Sequence, residues 1–140
     1  MEQGEERIIR TGRGRILVMD DEESVREIAG DILTHLGYEV EFAQDGAEAL
    51  ELYRKAGGNG VPYDAVLVDL TIPGRMGGKE TIALLRELDP DVRAIVSSGY
   101  CNDAVMSDFR SYGFSGVISK PYRIEEMSKV FAAVLNVVVK

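Results

Sequence analysis

Five short apolar runs, rich in β-branched residues and each followed by a longer stretch of helical periodicity, constrain this chain more than any other feature. They are Ile16 to Met19, Glu39 to Ala43, Ala65 to Val68, Ala94 to Ser97 and Gly116 to Ser119. Most are apolar on both faces, which is the pattern of strands buried on both sides in a parallel sheet. Between the first two runs, Val25, Ile28, Ala29, Ile32, Leu33 and Leu36 recur at steps of three and one, forming one helical stripe. Gly37 stands where a C-cap would close that helix.

The same reasoning predicts helices at about 46 to 56, 78 to 88, 102 to 111 and 123 to 137. In the last of these Ile124, Met127, Val130, Phe131, Val134 and Leu135 share a face. Five strands alternating with five helices predict an α/β fold, a three-layer, doubly wound parallel sheet with right-handed crossovers. The flavodoxin-like strand order 2-1-3-4-5 is the expectation, with a ligand crevice where strands 1 and 3 diverge.

Residues 1 to 14 (MEQGEERIIRTGRG) mix charges with three glycines and no sustained period, and read as a flexible lead-in or linker before one domain at 15 to 140. At 140 residues such a domain buries a core without disulfides or a structural metal. The single cysteine, Cys101, excludes an internal disulfide framework and a multi-cysteine zinc site, so a cytoplasmic location is expected. No apolar run is long enough for a membrane span, and the charged N-terminus is unlike a signal peptide. A net charge of −8 opposes binding to phosphate backbones, so direct nucleic-acid binding is not expected.

Ligands of such sheets bind beyond the carboxyl ends of the strands. Run 1 is followed by Asp20, Asp21, Glu22 and Glu23, run 3 by Asp69, and run 5 by Lys120 and Pro121, while run 4 ends at Ser97 and Ser98. Taken alone, Asp20 and Glu23 read equally as a helix capping box. With strands 1 and 3 adjacent, however, Asp20, Asp21 and Asp69 converge, and close anions need a counter-cation. An all-oxygen cluster with room for water suits Mg²⁺, and Mn²⁺ would also fit. Lys120 adds a fixed positive charge and Ser97 a hydroxyl, which together describe a phosphoryl site.

With Asp20 and Asp21 after the first strand, Asp69 after the third, Ser97 after the fourth and Lys120-Pro121 after the fifth, residues 15 to 137 closely resemble the receiver domains of two-component signalling. The resemblance implies that Asp69 accepts a phosphoryl group from a histidine kinase or phosphotransfer protein. It implies that Asp21, Asp69 and the main-chain carbonyl of Thr71 ligate Mg²⁺ directly, with Asp20 acting mainly through water. Lys120 would contact the acyl phosphate, Ser97 would turn inward to hydrogen-bond it, and the Lys120-Pro121 bond is of a kind usually cis.

Such a domain is a phosphoacceptor and not an enzyme in the usual sense, although slow self-dephosphorylation and a phosphorylation-dependent dimer accord with the resemblance. Two departures stand out. Val117 occupies the strand-5 position, three before the lysine, where many receivers carry an aromatic switch residue. The segment Leu70 to Gly78 (LTIPGRMGG) is one residue longer than in the simplest receivers and is similar to that of receivers fused to hybrid sensor histidine kinases.

Other classes fit less well. Aspartyl-nucleophile phosphatases carry a second Asp two residues after the nucleophile on strand 1, whereas positions 20 to 22 read Asp-Asp-Glu. A nucleotide-binding module would need a glycine-rich phosphate loop after strand 1, which is missing. A receiver-like module that no longer accepts phosphate would have lost an acid or the lysine, and all are present. The one histidine, His35, reads as a surface residue late in the first helix.

Overall fold

In the computed structural model, residues 14–99 and 104–135 are described. The five strands are β1 (Arg15–Met19), β2 (Glu39–Ala43), β3 (Ala65–Asp69), β4 (Ala94–Ser98) and β5 (Gly116–Ser119). The helices are α1 (Glu23–His35), α2 (Gly46–Gly58), α3 (Gly78–Leu88), a single turn α4 (Ala104–Ser107) followed by a 3-10 turn at Phe109–Tyr112, and α5 (Ile124–Val134). All strand pairs are parallel and the order is β2-β1-β3-β4-β5, as the alternation predicts. Of the expected lead-in at 1 to 14, residues 1 to 13 lie outside the described residues, as do Cys101 and the last two residues of the helix expected at 123 to 137.

Strand parity sorts the core into two layers. Leu17, Met19, Val66, Val68, Ala94 and Val96 face one side, where Ala49 of α2 and Ile82 and Leu85 of α3 cover them. Ile16, Val18, Ala65, Leu67, Ile95 and Ile118 face the other, against Ala29 and Leu33 of α1 and Met127 and Phe131 of α5. The central strands β1, β3 and β4 are therefore buried on both faces, which is why their sequences are continuous apolar runs. The edge strand β2 differs: Glu39, Glu41 and Phe42 are exposed, and Arg15 pairs with both glutamates, so charge covers an edge that would otherwise invite pairing.

Helix ends follow local chemistry. Gly37 (φ 103°) donates to the Thr34 carbonyl at 2.9 Å and Tyr38 to the Leu33 carbonyl at 3.0 Å, a left-handed glycine cap with an apolar contact between Leu33 and Tyr38. At the other end of α1 the capping box that the local pattern also allowed does not form. The N-cap is Glu22 without a side-chain cap, because Asp20 uses one oxygen for the Glu22 N–H at 3.0 Å and the other for Lys120. Asp45 caps α2 instead, accepting from the Glu48 N–H at 2.9 Å.

Two expectations from periodicity need adjustment. Ile28, at the edge of the α1 stripe, is half exposed. The fourth helix, expected over 102 to 111, is one α-turn and a 3-10 turn ending at Gly113 in the left-handed region (φ 102°), where a side chain would be strained. No helix among the described residues is long and apolar enough to cross a membrane.

The segment from β3 to α3 turns back tightly on the end of β3. Gly78 donates to the Leu70 carbonyl at 3.0 Å, and a Cβ added at Gly77 would lie 2.6 Å from that same carbonyl. Main chain cannot yield as a side-chain tip does, so Gly77→Ala should destabilise the fold by about 1–3 kcal/mol. Gly57, in a helix with nothing within 4 Å of its Cβ direction, gives the opposite expectation: Gly57→Ala should stabilise by roughly 0.5 kcal/mol. Urea denaturation of the two variants checks both signs, and equal effects would remove the steric argument.

Candidate functional site: an acidic crevice closed by a lysine

The carboxyl ends of β1, β3, β4 and β5 converge because the strands are parallel and in register, with Asp69 opposite Ser97 across the β3–β4 pair. Side chains of registered neighbours in a parallel sheet point the same way, so Asp69 and Ser97 share the face of Leu67 and Ile95, the side covered by α1 and α5. Asp20, one residue beyond β1, lies beside them. Carboxylate oxygens of Asp20, Asp21 and Asp69 all fall within 4.8 Å of one another.

Two of these acids are deeply placed: Asp20 is 1% and Asp69 6% exposed, while Asp21 is open to solvent. Lys120 answers them from the end of β5. Its Nζ donates to Asp20 Oδ2 at 2.8 Å and sits 3.3 Å from Asp69 Oδ2. The Lys120-Pro121 bond that follows is cis, as expected. Thr71 is exposed at the crevice, and its main-chain N–H donates to the Asp69 carboxylate.

The electrostatics are those of an incompletely neutralised site. Burial first, and the charge of Asp20 second, push the Asp69 carboxyl up to about 6, against the opposing pull of Lys120 and the Thr71 N–H. Burial works to lower the Lys120 ammonium, but the hydrogen bond to Asp20 and the charges of Asp69 and Asp20 outweigh it and hold the group above the ordinary lysine value. One lysine thus faces three acids. A cluster of hard oxygen donors with unbalanced negative charge, one member open to water, is a chemically suitable seat for a small divalent cation.

The sequence reasoning brought Asp20, Asp21, Asp69, Thr71 and Lys120 to one place, and the structure puts them there. It missed two contacts. Arg26 donates from its guanidinium to the Asp20 carbonyl at 2.7 Å, tying the acidic turn to α1. The Ser97 hydroxyl, fully buried, lies 2.8 Å from the Tyr122 hydroxyl. Neither carries a sequence signal, because both depend on how the first turn of α1 and the segment after β5 approach the strand ends.

The family model of the response regulator receiver domain matches residues 16–132. The chain belongs to that family. Among curated relatives, this receiver domain is 32% identical over 121 residues to the chemotaxis protein CheY of Thermotoga maritima, covering 83% of this chain and 96% of that protein. It is 30% identical over 126 residues to the sensor kinase CckA of Brucella abortus, covering 90% of this chain and 13% of the kinase. It is 36% identical over 110 residues to a response regulator receiver protein of Anaeromyxobacter, covering 79% of this chain and 44% of that protein. The chain thus spans less than half the length of two of these relatives and nearly all of CheY.

Solved structures agree. A LuxR-family response regulator from Aurantimonas superposes with a TM-score of 0.78 at 30% identity, over 89% of this chain and 86% of that one. The response regulator TrrA of Thermotoga maritima, solved with Mg²⁺ and BeF, gives 0.71 at 29% identity over 86% and 97%. Membership of the family makes the chain a receiver of the two-component type, a phosphoacceptor signalling domain.

The raised Asp69 value has a sign that can be measured. The native state holds a proton on Asp69 up to about pH 6, whereas the unfolded chain releases it near pH 4. Stability of the metal-free receiver should therefore fall as pH rises through that window and level off above it. In Asp69→Asn the fall should shrink, leaving the variant the more stable protein at pH 7.5 by on the order of 1 kcal/mol and converging with wild type near pH 4. Urea titrations in chelator at several pH values read this directly, and parallel curves for the two proteins would contradict it.

Proposed function

We propose that Asp69 is the phosphoacceptor of this receiver domain and that Asp20, Asp21, Ser97 and Lys120 serve its phosphorylation. The observation that carries the reading is the burial of Asp69 in a carboxylate cluster with Lys120 reaching it and Asp20 together. A carboxylate attacking phosphorus must overcome repulsion between anions and accommodate charge spreading over the phosphoryl oxygens. An Asp69 oxygen forms the new P–O bond as the P–N bond of a phosphohistidine donor breaks, and the imidazole takes up the leaving electron pair.

The residues divide the work. Lys120 stays protonated and, already bonded to Asp20, holds its ammonium at the oxygen of Asp69 where the transferred group arrives. Asp69 must be ionised to attack, and Lys120 and a bound cation favour that form against the burial that raises its proton affinity. Arg26 and the Glu22 N–H fix the turn that carries Asp20 and Asp21. Ser97 supplies a hydroxyl donor for a phosphoryl oxygen, a charge-assisted bond.

We infer Mg²⁺ as the cation, held directly by Asp21, Asp69 and the main-chain carbonyl of Thr71, with Asp20 acting through water. When bound, Mg²⁺ supplies the positive charge that offsets the acids and the phosphoryl oxygens. The TrrA structure with Mg²⁺ and BeF, together with the donor set here, supports that choice. The phosphoryl donor is a histidine kinase or a phosphotransfer protein, a reading that the similarity to the sensor kinase CckA supports. The phosphorylated form then changes partner binding, in the cytoplasm.

Incubation with Mg²⁺ and a small acyl phosphate such as acetyl phosphate should add the mass of one phosphoryl group to the wild type. Asp69→Asn should add none while keeping its circular dichroism, and labelling of that variant to the same stoichiometry would dismiss Asp69 as acceptor. Mg²⁺ alone should raise the melting temperature of the wild type and do so less in Asp21→Ala. Its affinity should rise with pH through about 6, because a proton on Asp69 competes with the metal. Equal stabilisation of both proteins would strike Asp21 from the ligands.

A further inference from the structure

Three exposed cations, Lys79, Arg86 and Arg110, gather where α3 packs against the 3-10 turn. Among the described residues none of the three forms an ion pair; aromatic rings and a glycine seat them instead. Lys79 places its Nζ 5.4 Å from the centre of the Tyr112 ring, and the Arg110 guanidinium lies 5.0 Å from that of Phe109. Arg86 lies across Gly113, where a Cβ would sit 2.6 Å from its Cδ and 2.7 Å from its Nη1, so the glycine makes room for the side chain.

This arrangement is fixed from below. Phe109 and Tyr112 are partly buried against the core layer of α2 and α3, so the rings anchor two of the cations without neutralising them. Lys79 and Arg86 stand two helical turns apart on one stripe of α3, a separation of about 10 Å. Ala83 between them is exposed and small, which leaves the stripe flat. Of the glutamates on α3, Glu87 lines the cleft shared with Leu50 and Arg54 of α2, and Glu80 borders that of Thr71 and Arg75, at whose edge Lys79 also stands. Asp108, just before the turn, accepts the Ser111 hydroxyl at 2.9 Å and offsets one charge of the three.

We propose that this face of α3 and the turn at 109–113 form a docking surface for an acidic protein segment. Such a segment presents carboxylates about 10 Å apart to Lys79 and Arg86, with a third in reach of Arg110. With 24 acidic and 16 basic residues the chain carries a net charge of −8, so the patch reverses the field locally and selects its partner by contact. Nucleic acid fits it less well. A polynucleotide carries its charge past the rim of the patch, over an acidic surface, and the two rings that would stack on bases already have cations laid against them. The surface is distinct from the crevice, whose acids are met by Lys120.

A synthetic peptide of repeated Glu-Gly-Gly is the probe, because an extended chain spaces those carboxylates about 10 Å apart. It is titrated into ¹⁵N-labelled, metal-free protein at about 0.1 M salt, where a Debye length of about 10 Å screens the distant acids and spares contact pairs. Amide resonances of residues 79–86 and 109–113 should shift saturably, and those of the crevice should stay in place. The triple variant Lys79→Gln, Arg86→Gln, Arg110→Gln should bind about tenfold more weakly, the loss of three exposed ion pairs, with an unchanged circular dichroism spectrum. Keeping the charge, in Lys79→Arg with Arg86→Lys, should keep the binding.

A Gln-Gly-Gly peptide should leave the wild type unshifted, and single-stranded oligothymidylate should not displace the acidic probe. No saturable shift at millimolar peptide, shifts centred elsewhere, or equal binding by the charge-neutral triple variant overturns the proposal. So does loss of binding in the charge-keeping variant or an equal response to the Gln-Gly-Gly peptide. Displacement by oligothymidylate assigns the surface to nucleic acid and overturns it as well. None of these outcomes bears on Asp69 as the acceptor, since neither metal nor phosphodonor enters the titration.

Discussion

Two buried carboxylates, Asp20 and Asp69, face each other across neighbouring strands with one lysine between them, and the top of this molecule is organised around that opposition. Asp20 divides its oxygens between Lys120 and the Glu22 N–H, its carbonyl holds Arg26, and the turn into α1 is shaped by those demands in place of an ordinary helix cap. Asp69 draws Lys120 and the Thr71 N–H toward itself and still retains a raised proton affinity. Residual negative charge at this depth is a cost to the resting fold. It is also the reason a cation and a phosphoryl group find a prepared place.

Such a cost is tolerable because the sheet beneath is secure. Three central strands are buried on both faces, and two apolar layers close on them from opposite sides. The layers also decide which elements can respond to the site. Asp69, Ser97 and Tyr122 belong with the α1 and α5 layer, whereas Val117 belongs with that of α2 and α3.

Much of this was legible in the residues. A two-sided buried strand leaves an uninterrupted apolar run, so β1, β3 and β4 were visible. The edge strand β2, with exposed Glu39 and Glu41, was found by its place in the alternation more than by its own pattern. The acids and the lysine were legible because a parallel sheet brings its strand ends together, making the residue after each run a site residue by topology. The capping box that Asp20 and Glu23 allow as a local pattern gives way to the carboxylate cluster, since Lys120, a hundred residues away, takes the carboxylate that would have capped the helix. The fourth helix, expected as one segment, is among the described residues an α-turn followed by a 3-10 turn, because periodicity does not register where a helix tightens.

The sequence by itself determined the strand count, the parallel order and the meeting of Asp20, Asp21, Asp69 and Lys120, because hydrophobic period and crossover geometry leave few alternatives. The tertiary structure decided how those groups share their bonds. That Lys120 bridges Asp20 and Asp69, that burial raises the Asp69 carboxyl, and that Ser97 rests on Tyr122 all depend on distances of about an ångström between loops that no periodicity encodes. Hydrogen bonds and pKa values are set at that scale, whereas the fold is set at the scale of strands and helices.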